Sequence, residues 1–181
     1  MLPGETLKIK LTPELAYLIG LWRKIKSFEG LGVHGSQKIL ETFSKEVLEQ
    51  KLTTPEKLLT DGKRVYFYHT AYKKFFGEVE KEQLERFKYL NEYAANYLAG
   101  LFDAVGNIDE NGIVSLAKLN NEDELLLLRL GFKTKRKKGK CIIEKPLIFL
   151  AFIKNYVKAS KDHKIFEVVE KLKNKNQATA D

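Results

Sequence analysis

The chain has 181 residues, of which 44% are hydrophobic and 31% charged, and it carries a formal net charge of +8. A chain of this size and apolar content can bury a hydrophobic core without disulfide bonds or structural metals. Its single cysteine, Cys141, excludes an internal disulfide framework. No run reaches the roughly 18 apolar residues that a membrane span needs, and residues 1–5 lack the apolar core of a signal peptide. We therefore expect a cytoplasmic protein with polyanionic partners and no membrane partner.

In the first half of the chain, Thr12, Pro13 and Glu14 have the pattern of a helix N-cap, a proline in the first turn and a first-turn acid. They predict the start of a first helix. Turn residues and hydrophobic periodicity then predict a short hairpin with strands 25–28 and 31–34 around Gly30, a helix over 36–51, strands 57–60 and 63–69 joined by Asp61-Gly62, and a long helix over 70–89.

The second half repeats this order. We expect a helix over 92–105, a hairpin across Asn111-Gly112 with 113–119 as its second strand, and a helix over 124–130 that is capped by residues 120–124 and stopped by Gly131. A hairpin over 132–144 that turns near Gly139, a helix from Pro146 to about residue 159, and a last helix from Asp162 to about residue 172 complete the prediction.

Residues 98–106, with the sequence LAGLFDAVG, combine an apolar stripe with a face that has almost no side chains. The apolar side chains recur at spacings of three and four, whereas Gly100 and Ala104 lie four residues apart. Such a face allows a second helix to approach closely.

This string resembles the LAGLIDADG signature of homing endonucleases at seven of nine positions. The resemblance implies an α+β fold made of two pseudo-symmetric αββαββα repeats. The two signature helices would pair at the centre, and antiparallel strands would form a saddle on one side of them.

A helix that packs on a like helix predicts a second copy, and residues 17–26 resemble one about 80 positions upstream. Gly20 there aligns with Gly100. We therefore expect residues 1–90 to form a first, degenerate repeat and residues 91–181 a second. Gly20, Gly100 and Ala104 should line the seam between the two helices, and the protein should be a monomer.

In this family an acid near the C-terminal end of each signature helix helps to hold divalent cations for phosphodiester cleavage. The corresponding positions here are Ile25 and Val105, which offer magnesium no oxygen ligand. Asp103 keeps an acid at the sixth position of the motif, which the resemblance implies to be structural. Glu29 and Asp109, four residues after the two degenerate positions, are interpreted as hairpin or solvent-facing residues. We predict no catalytic residue, no metal site and no cofactor, with magnesium required only if displaced acids support cleavage.

Arg23 aligns with Asp103 in the second copy. Pseudo-twofold packing should bring equivalent positions together, so we predict an Arg23–Asp103 ion pair across the seam that fixes the register of the halves. The alternative is an arginine directed to solvent or to a phosphate.

Two segments have the pattern of phosphate-contacting strands. Val65 and Phe67 alternate with polar and aromatic residues in 63–69, and six cations fall within residues 133–140. A solvated face is the alternative for each segment taken alone. The predicted nucleic-acid-binding residues are Arg64, Tyr66, Tyr68, Lys133, Lys135, Arg136, Lys137 and Lys138.

Together these features predict a nucleic-acid-binding protein on a homing-endonuclease-like scaffold without nuclease activity, with double-stranded DNA favoured over RNA. The short first hairpin limits the predicted footprint on DNA, because base recognition in this family uses long strands in the major groove. Three alternatives stay open: a metal-dependent DNA endonuclease with displaced acids, an RNA-binding or maturase-like splicing factor, and a protein-interaction module.

Overall fold

The computed structural model describes residues 8–180, apart from the side chains of residues 173 and 176–180. Within that part of the chain, eight α-helices pack against two antiparallel sheets, so the α+β prediction is confirmed. None of the described helices is long and apolar enough to cross a membrane. The expectation for residues 1–5 lies outside the described residues.

The elements follow one another in the predicted order. The helices are α1 (Pro13–Arg23), α2 (Gln37–Glu49), α3 (Thr70–Lys81), α4 (Gln83–Arg86), α5 (Glu92–Val105), α6 (Asn121–Arg129), α7 (Pro146–Ile153) and α8 (Ile165–Ala180), with a 3-10 turn at Pro55–Lys57. The strands are β1 (Leu31–His34), β2 (Leu59–Thr60), β3 (Arg64–Phe67), β4 (Gly106–Ile108), β5 (Val114–Leu116), β6 (Thr134–Lys137) and β7 (Lys140–Ile143).

Helices α1 and α5 form the centre of the molecule, and most of each helix is buried on every side. A helix that is apolar all round belongs in a core. Both begin at a side-chain cap, since Thr12 Oγ1 accepts a hydrogen bond from the amide of Leu15 at 3.1 Å and Asn91 Oδ1 accepts one from the amide of Ala94 at 3.1 Å.

The first sheet has the strand order β1-β3-β2 and the second has the order β4-β5-β7-β6, with every pairing antiparallel. In the first sheet Leu31 pairs with Phe67 and Val33 with Val65, and all four side chains are buried. Paired residues share a face, so this face covers the core, where the Phe67 ring lies 6.5 Å from that of Phe43 in α2.

Some boundaries differ from the predictions for identifiable reasons. The helix expected over 70–89 is divided at Glu82, which allows Gln83 and Phe87 to pack onto Tyr97, with 4.3 Å between the centres of the Phe87 and Tyr97 rings. The helix expected to reach about residue 159 ends at Ile153. The first hairpin is reduced to β1 and a single bridge between Lys26 and Val33, and the other predicted strands are each a few residues longer than the observed ones.

Candidate functional site

The two central helices meet at a pair of glycines. A Cβ atom on Gly20 would lie less than 3.0 Å from the carbonyl oxygen of Tyr97, and one on Gly100 would meet the carbonyl oxygen of Tyr17 equally closely. The contact is reciprocal and leaves no space for a side chain on either helix. Ala104, which we also expected in this seam, is half-buried near the end of α5 and packs against the core.

The same two tyrosines form crosswise hydrogen bonds between the helices. The Tyr17 hydroxyl donates to Asp103 Oδ2 at 2.6 Å, and Arg23 Nη1 donates to the Tyr97 hydroxyl oxygen at 3.1 Å. Burial raises the pKa of both tyrosines well above the usual range, and the Asp103 carboxylate raises that of Tyr17 further. Both phenols therefore stay protonated at neutral pH, and each helix end is fixed to the opposite helix.

The predicted Arg23–Asp103 ion pair is wrong, because each side chain has other partners. The Arg23 guanidinium pairs with Asp123 at the start of α6, and its Nε lies 3.4 Å from Glu80 Oε2. Lys24 Nζ lies 2.7 Å from the other oxygen of Asp123. The side chains of Arg23 and Asp123 are only 5% and 3% exposed, so this is a buried ionic cluster.

Electrostatics keep this cluster ionised. Burial by itself would raise the pKa of Asp123, but the positive charge of Arg23 and the hydrogen bond from Lys24 outweigh it and lower that pKa below the usual aspartate range. Burial likewise opposes the charged form of Arg23, yet Tyr97 and Asp123 raise its pKa above the ordinary value.

Asp103 instead anchors the connection between α7 and α8. Its two oxygens accept hydrogen bonds from the amides of Lys158, Ala159 and Ser160 at 2.8, 3.0 and 3.1 Å, and from the Ser160 hydroxyl. With Tyr17 this makes five donors, more than the roughly four lone-pair sites of a carboxylate. The Tyr156 amide bonds to the carbonyl oxygen of Ile153 in a tightened turn at the end of α7, and the amides of residues 158–160 are directed to Asp103 and do not continue the helix.

Ile25 and Val105, the two positions that we predicted to be degenerate, lie in apolar surroundings. Ile25 is 6% exposed, Val105 is half-buried, and both pack against the core. The nearby acids have other partners. Glu29 accepts a hydrogen bond from the Tyr68 hydroxyl at 3.0 Å, and Asp109 accepts bonds from two amides at 2.9 Å within the β4–β5 turn.

A pair of divalent cations, as the resemblance implies, does not fit these residues. Magnesium requires oxygen ligands in a near-octahedral shell, and Ile25 and Val105 provide none. Within residues 8–180, no group of three or more His, Cys, Asp or Glu side chains is arranged to hold a metal ion.

The outer face of the first sheet presents aromatic and aliphatic side chains. Val65 and Phe67 are buried, whereas Tyr66 is half-buried and Tyr68 is 64% exposed. The two tyrosine rings meet edge to face, with 5.8 Å between their centres. Leu59 pairs with Tyr66, so it shares this face, and it is 41% exposed.

Arg64 lies at one end of this row, over the Tyr66 ring at 5.0 Å. Its charge is already compensated, because Nε lies 2.8 Å from Asp61 Oδ2 and Nη1 lies 3.8 Å from Glu29 Oε1. The residue therefore shares the predicted face with the tyrosines but has two acidic partners.

The outer face of the second sheet presents lysines. Lys135 pairs with Ile142 and Lys137 with Lys140, and these pairs alternate with the buried residues Cys141 and Ile143. Lys135, Lys137 and Lys140 thus point away from the core, and none has an ion-pair partner among the described residues. Lys133 has the same parity on the strand, and Lys138 lies in the turn with φ at 52°.

Arg136 does not belong to this row. It pairs with buried Cys141 and therefore faces the helix side of the sheet. Its Nη2 donates to the carbonyl oxygen of Leu119 at 2.8 Å, and its Nε lies 3.1 Å from Glu124 Oε1. The signal for this is the alternation in β6, which puts Arg136 on the opposite face from Lys135 and Lys137.

Three features of the site lie outside the predicted residues. Asp123 was expected only as part of a helix cap, which it does form with Asn120. Phe28 is 94% exposed beside the first sheet, and Leu59 extends its apolar face. The buried ion pair of Asp123 joins it to Arg23, which lies 100 residues away in the chain, so no local sequence pattern could have revealed it.

Neither a protein-family model nor a curated protein matches the sequence. Among solved structures, mesophilic variants of the homing endonuclease I-DmoI are 14% identical, with a TM-score of 0.53 over 78% of this chain and 95% of theirs. An I-DmoI variant bound to its nicked target DNA with manganese is 13% identical, with a TM-score of 0.54 over 81% and 98%. I-DmoI with DNA and manganese is 14% identical, with a TM-score of 0.52 over 78% and 96%. At these identities the likeness establishes the fold alone.

Proposed function

We propose that this chain, which has the fold of the LAGLIDADG homing endonucleases, is a nucleic-acid-binding protein that holds duplex DNA on the lysine face of its second sheet and does not cut it at the helix ends. The observation that carries the proposal is the combination of uncompensated lysines on a sheet face with aliphatic residues where the fold family has metal-binding acids.

The lysines support binding to a polyanion. Lys133, Lys135, Lys137 and Lys140 project from one sheet face, and none of them is engaged by a carboxylate within the described part of the chain. Neutralising phosphates with such groups releases counterions, which is the main source of sequence-independent affinity for DNA. The solved structures of similar fold include complexes with DNA, which favours DNA over RNA.

The chemistry at the helix ends supports the loss of cleavage. In-line hydrolysis of a phosphodiester with two metal ions needs ligands that hold both ions at the attacking and leaving oxygens. Ile25 and Val105 contribute none, and the remaining acid of the motif, Asp103, is saturated by donors from Tyr17 and residues 158–160. Recruiting it for a metal would break the anchor of the α7–α8 connection.

The test is selection from a randomised duplex library, performed with magnesium and with EDTA and scored both for enrichment and for strand cleavage. We expect enrichment under both conditions and cleavage under neither. Magnesium-dependent cleavage by the purified protein would instead establish the endonuclease with displaced acids. Stronger competition by structured RNA than by duplex DNA would establish the RNA-binding alternative.

A charge-matched pair of variants isolates the role of the sheet. Lys135→Ala with Lys137→Ala removes two charges from the outer face, whereas Lys38→Ala with Lys45→Ala removes two exposed charges from α2, which packs on the core side of the first sheet. We expect weaker DNA binding only from the first pair. Equal losses would mean that net charge alone attracts DNA, and that the lysine face is not the interface.

A further inference from the structure

The outer faces of the two sheets differ in chemistry. The face of the second sheet carries lysines without ionic partners, whereas Arg64, the cation on the outer face of β3, is compensated by Asp61 and Glu29. Attraction for phosphate is therefore concentrated on the second sheet. The first sheet presents rings and an aliphatic side chain instead, so the two faces are suited to different parts of a ligand.

The tip of the first hairpin enlarges this aromatic face. Glu29 is bonded to the Tyr68 hydroxyl, and a Cβ atom on Gly30 would lie 3.2 Å from the Tyr66 ring. Phe28 immediately precedes these two residues and is 94% exposed, more than any other large hydrophobic side chain described. Phe28 thus lies at the hairpin tip next to residues that contact the Tyr66–Tyr68 pair, and several exposed rings on one side of a sheet indicate a binding surface more strongly than a single ring would.

An open groove continues from this patch. It has a volume of about 430 Å³ and is lined by Gly30, Tyr68 and the first turn of α3, including Lys73 and Lys74. Both lysines are exposed, and neither has an ion-pair partner among the described residues. An aromatic wall beside two ammonium groups matches a nucleotide, with its flat base and its phosphate.

We propose that the aromatic face and this groove bind unpaired nucleotides, so that the preferred ligand is a duplex continued by a single strand. The inference rests on the proposed function, in which the lysine face holds the duplex. Bases in an intact duplex cover one another's faces, whereas unpaired bases stack on aromatic side chains. DNA and RNA strands share this chemistry, so the tail can be of either kind.

Fluorescence anisotropy with three probes tests the proposal: a blunt duplex, the same duplex with an unpaired DNA tail, and the same duplex with an unpaired RNA tail. Stacking on an aromatic side chain should strengthen binding of a tailed probe between about 5-fold and about 140-fold for each stacked base. Because stacking itself releases no counterions, the part of this gain that comes from stacking should persist as salt is raised, whereas the part that comes from Lys73 and Lys74 should weaken together with binding of the blunt duplex. The tail that gives the larger gain identifies the strand preferred.

Substitutions in the aromatic face test whether it is the source of the gain in affinity that the unpaired tail gives. Phe28→Ala should remove this gain while leaving the affinity for the blunt duplex unchanged, because Phe28 is not among the residues predicted to contact the duplex. Tyr68→Ala should also remove it. Tyr68→Phe should retain it, since that variant loses only the hydroxyl bonded to Glu29. Tyr89→Ala is the matched control, because Tyr89 is also 64% exposed but lies in the connection between α4 and α5.

A fluorescent purine analogue in the tail provides a second readout, since its emission is quenched when it stacks. We expect quenching by the parent protein and none by Phe28→Ala. If tailed and blunt probes bind equally well, or if the alanine variants weaken both equally, the aromatic face does not hold unpaired bases and the inference is overturned. The absence of binding to every probe would instead refute the proposed function on which it rests.

Discussion

A substitution at Gly100 should change the stability of the protein measurably, because this residue faces the backbone of α1 and not a movable side chain. A Cβ atom there would lie 2.7 Å from the amide nitrogen of Leu21 and closer still to the carbonyl oxygen of Tyr17. Since these atoms belong to a buried helix, Gly100→Ala can be accommodated only if the two helices separate. Overpacking of this kind costs about 1–3 kcal/mol, and rigid backbone neighbours favour the upper limit.

Helix propensity acts in the opposite direction. Alanine is better than glycine inside a helix by about 1 kcal/mol, so a net loss of about 2 kcal/mol in the free energy of unfolding is expected for Gly100→Ala. For a chain of this size that corresponds to a decrease in Tm of roughly 4–8 °C. Differential scanning calorimetry and urea unfolding would both measure it.

The structure offers a matched control in Gly77, which lies inside α3 with no atom within 4 Å of the position of its missing Cβ. Gly77→Ala should gain the propensity without the clash and raise Tm by about 2–4 °C. The two substitutions are chemically identical and should differ in sign. If Gly100→Ala melts at or above the parent temperature, the close helix crossing is refuted, and with it the basis for comparing Ile25 with Val105.

Removing the outer lysines through Lys135→Ala with Lys137→Ala should reduce the slope of log affinity against log salt by about 1.8, at roughly 0.9 for each phosphate contact; an unchanged slope would make them solvated side chains. Because its folded-state pKa is lowered, Asp123 contributes stability that is present above the usual aspartate pKa and is lost as pH falls through the folded pKa. Asp123→Asn should therefore cost about 3–5 kcal/mol at neutral pH and flatten the acid limb of the stability profile, whereas parallel acid limbs would contradict this. Finally, Ile25→Asp with Val105→Asp should create magnesium binding measurable by calorimetry and a Tm that rises with magnesium, and the absence of both would show that these positions cannot meet at a metal.

The sequence was most informative where local patterns decide the structure. The bounds of α5 agree with the prediction, because an asparagine cap and a continuous apolar stripe specify a helix without help from the rest of the chain. The alternation in β3 likewise identified Val65 and Phe67 as buried residues. Gly100 and Ala104, four residues apart, predicted that a second helix must be close, and alignment with the upstream copy then pointed to Gly20.

Features that depend on distant contacts could not be predicted in this way. Arg23 finds Asp123 across 100 positions of sequence, and the backbone that follows α7 is bound by an acid 55 to 57 positions upstream. Alignment of the two motif copies suggested Asp103 as the partner of Arg23, but equivalent positions lie near each other without having to touch. Each instead contacts the tyrosine of the opposite helix.

Those crosswise bonds give the seam a means of discriminating its own partner from a second copy of itself. Two α1 helices placed together would leave a buried Arg23 without the carboxylate of Asp123, which is supplied by the other half of the chain. Two α5 helices would place Tyr97, whose single proton is already donated to Gln83 at 2.8 Å, where Tyr17 donates to Asp103 in the mixed pair, so Asp103 would lose one of its five donors. Like-with-like pairing therefore loses a buried ionic or hydrogen-bond partner that the mixed pair keeps. Separated fragments covering residues 1–90 and 91–181 should consequently reassociate one with the other, and the intact chain should resist exchange of halves between molecules.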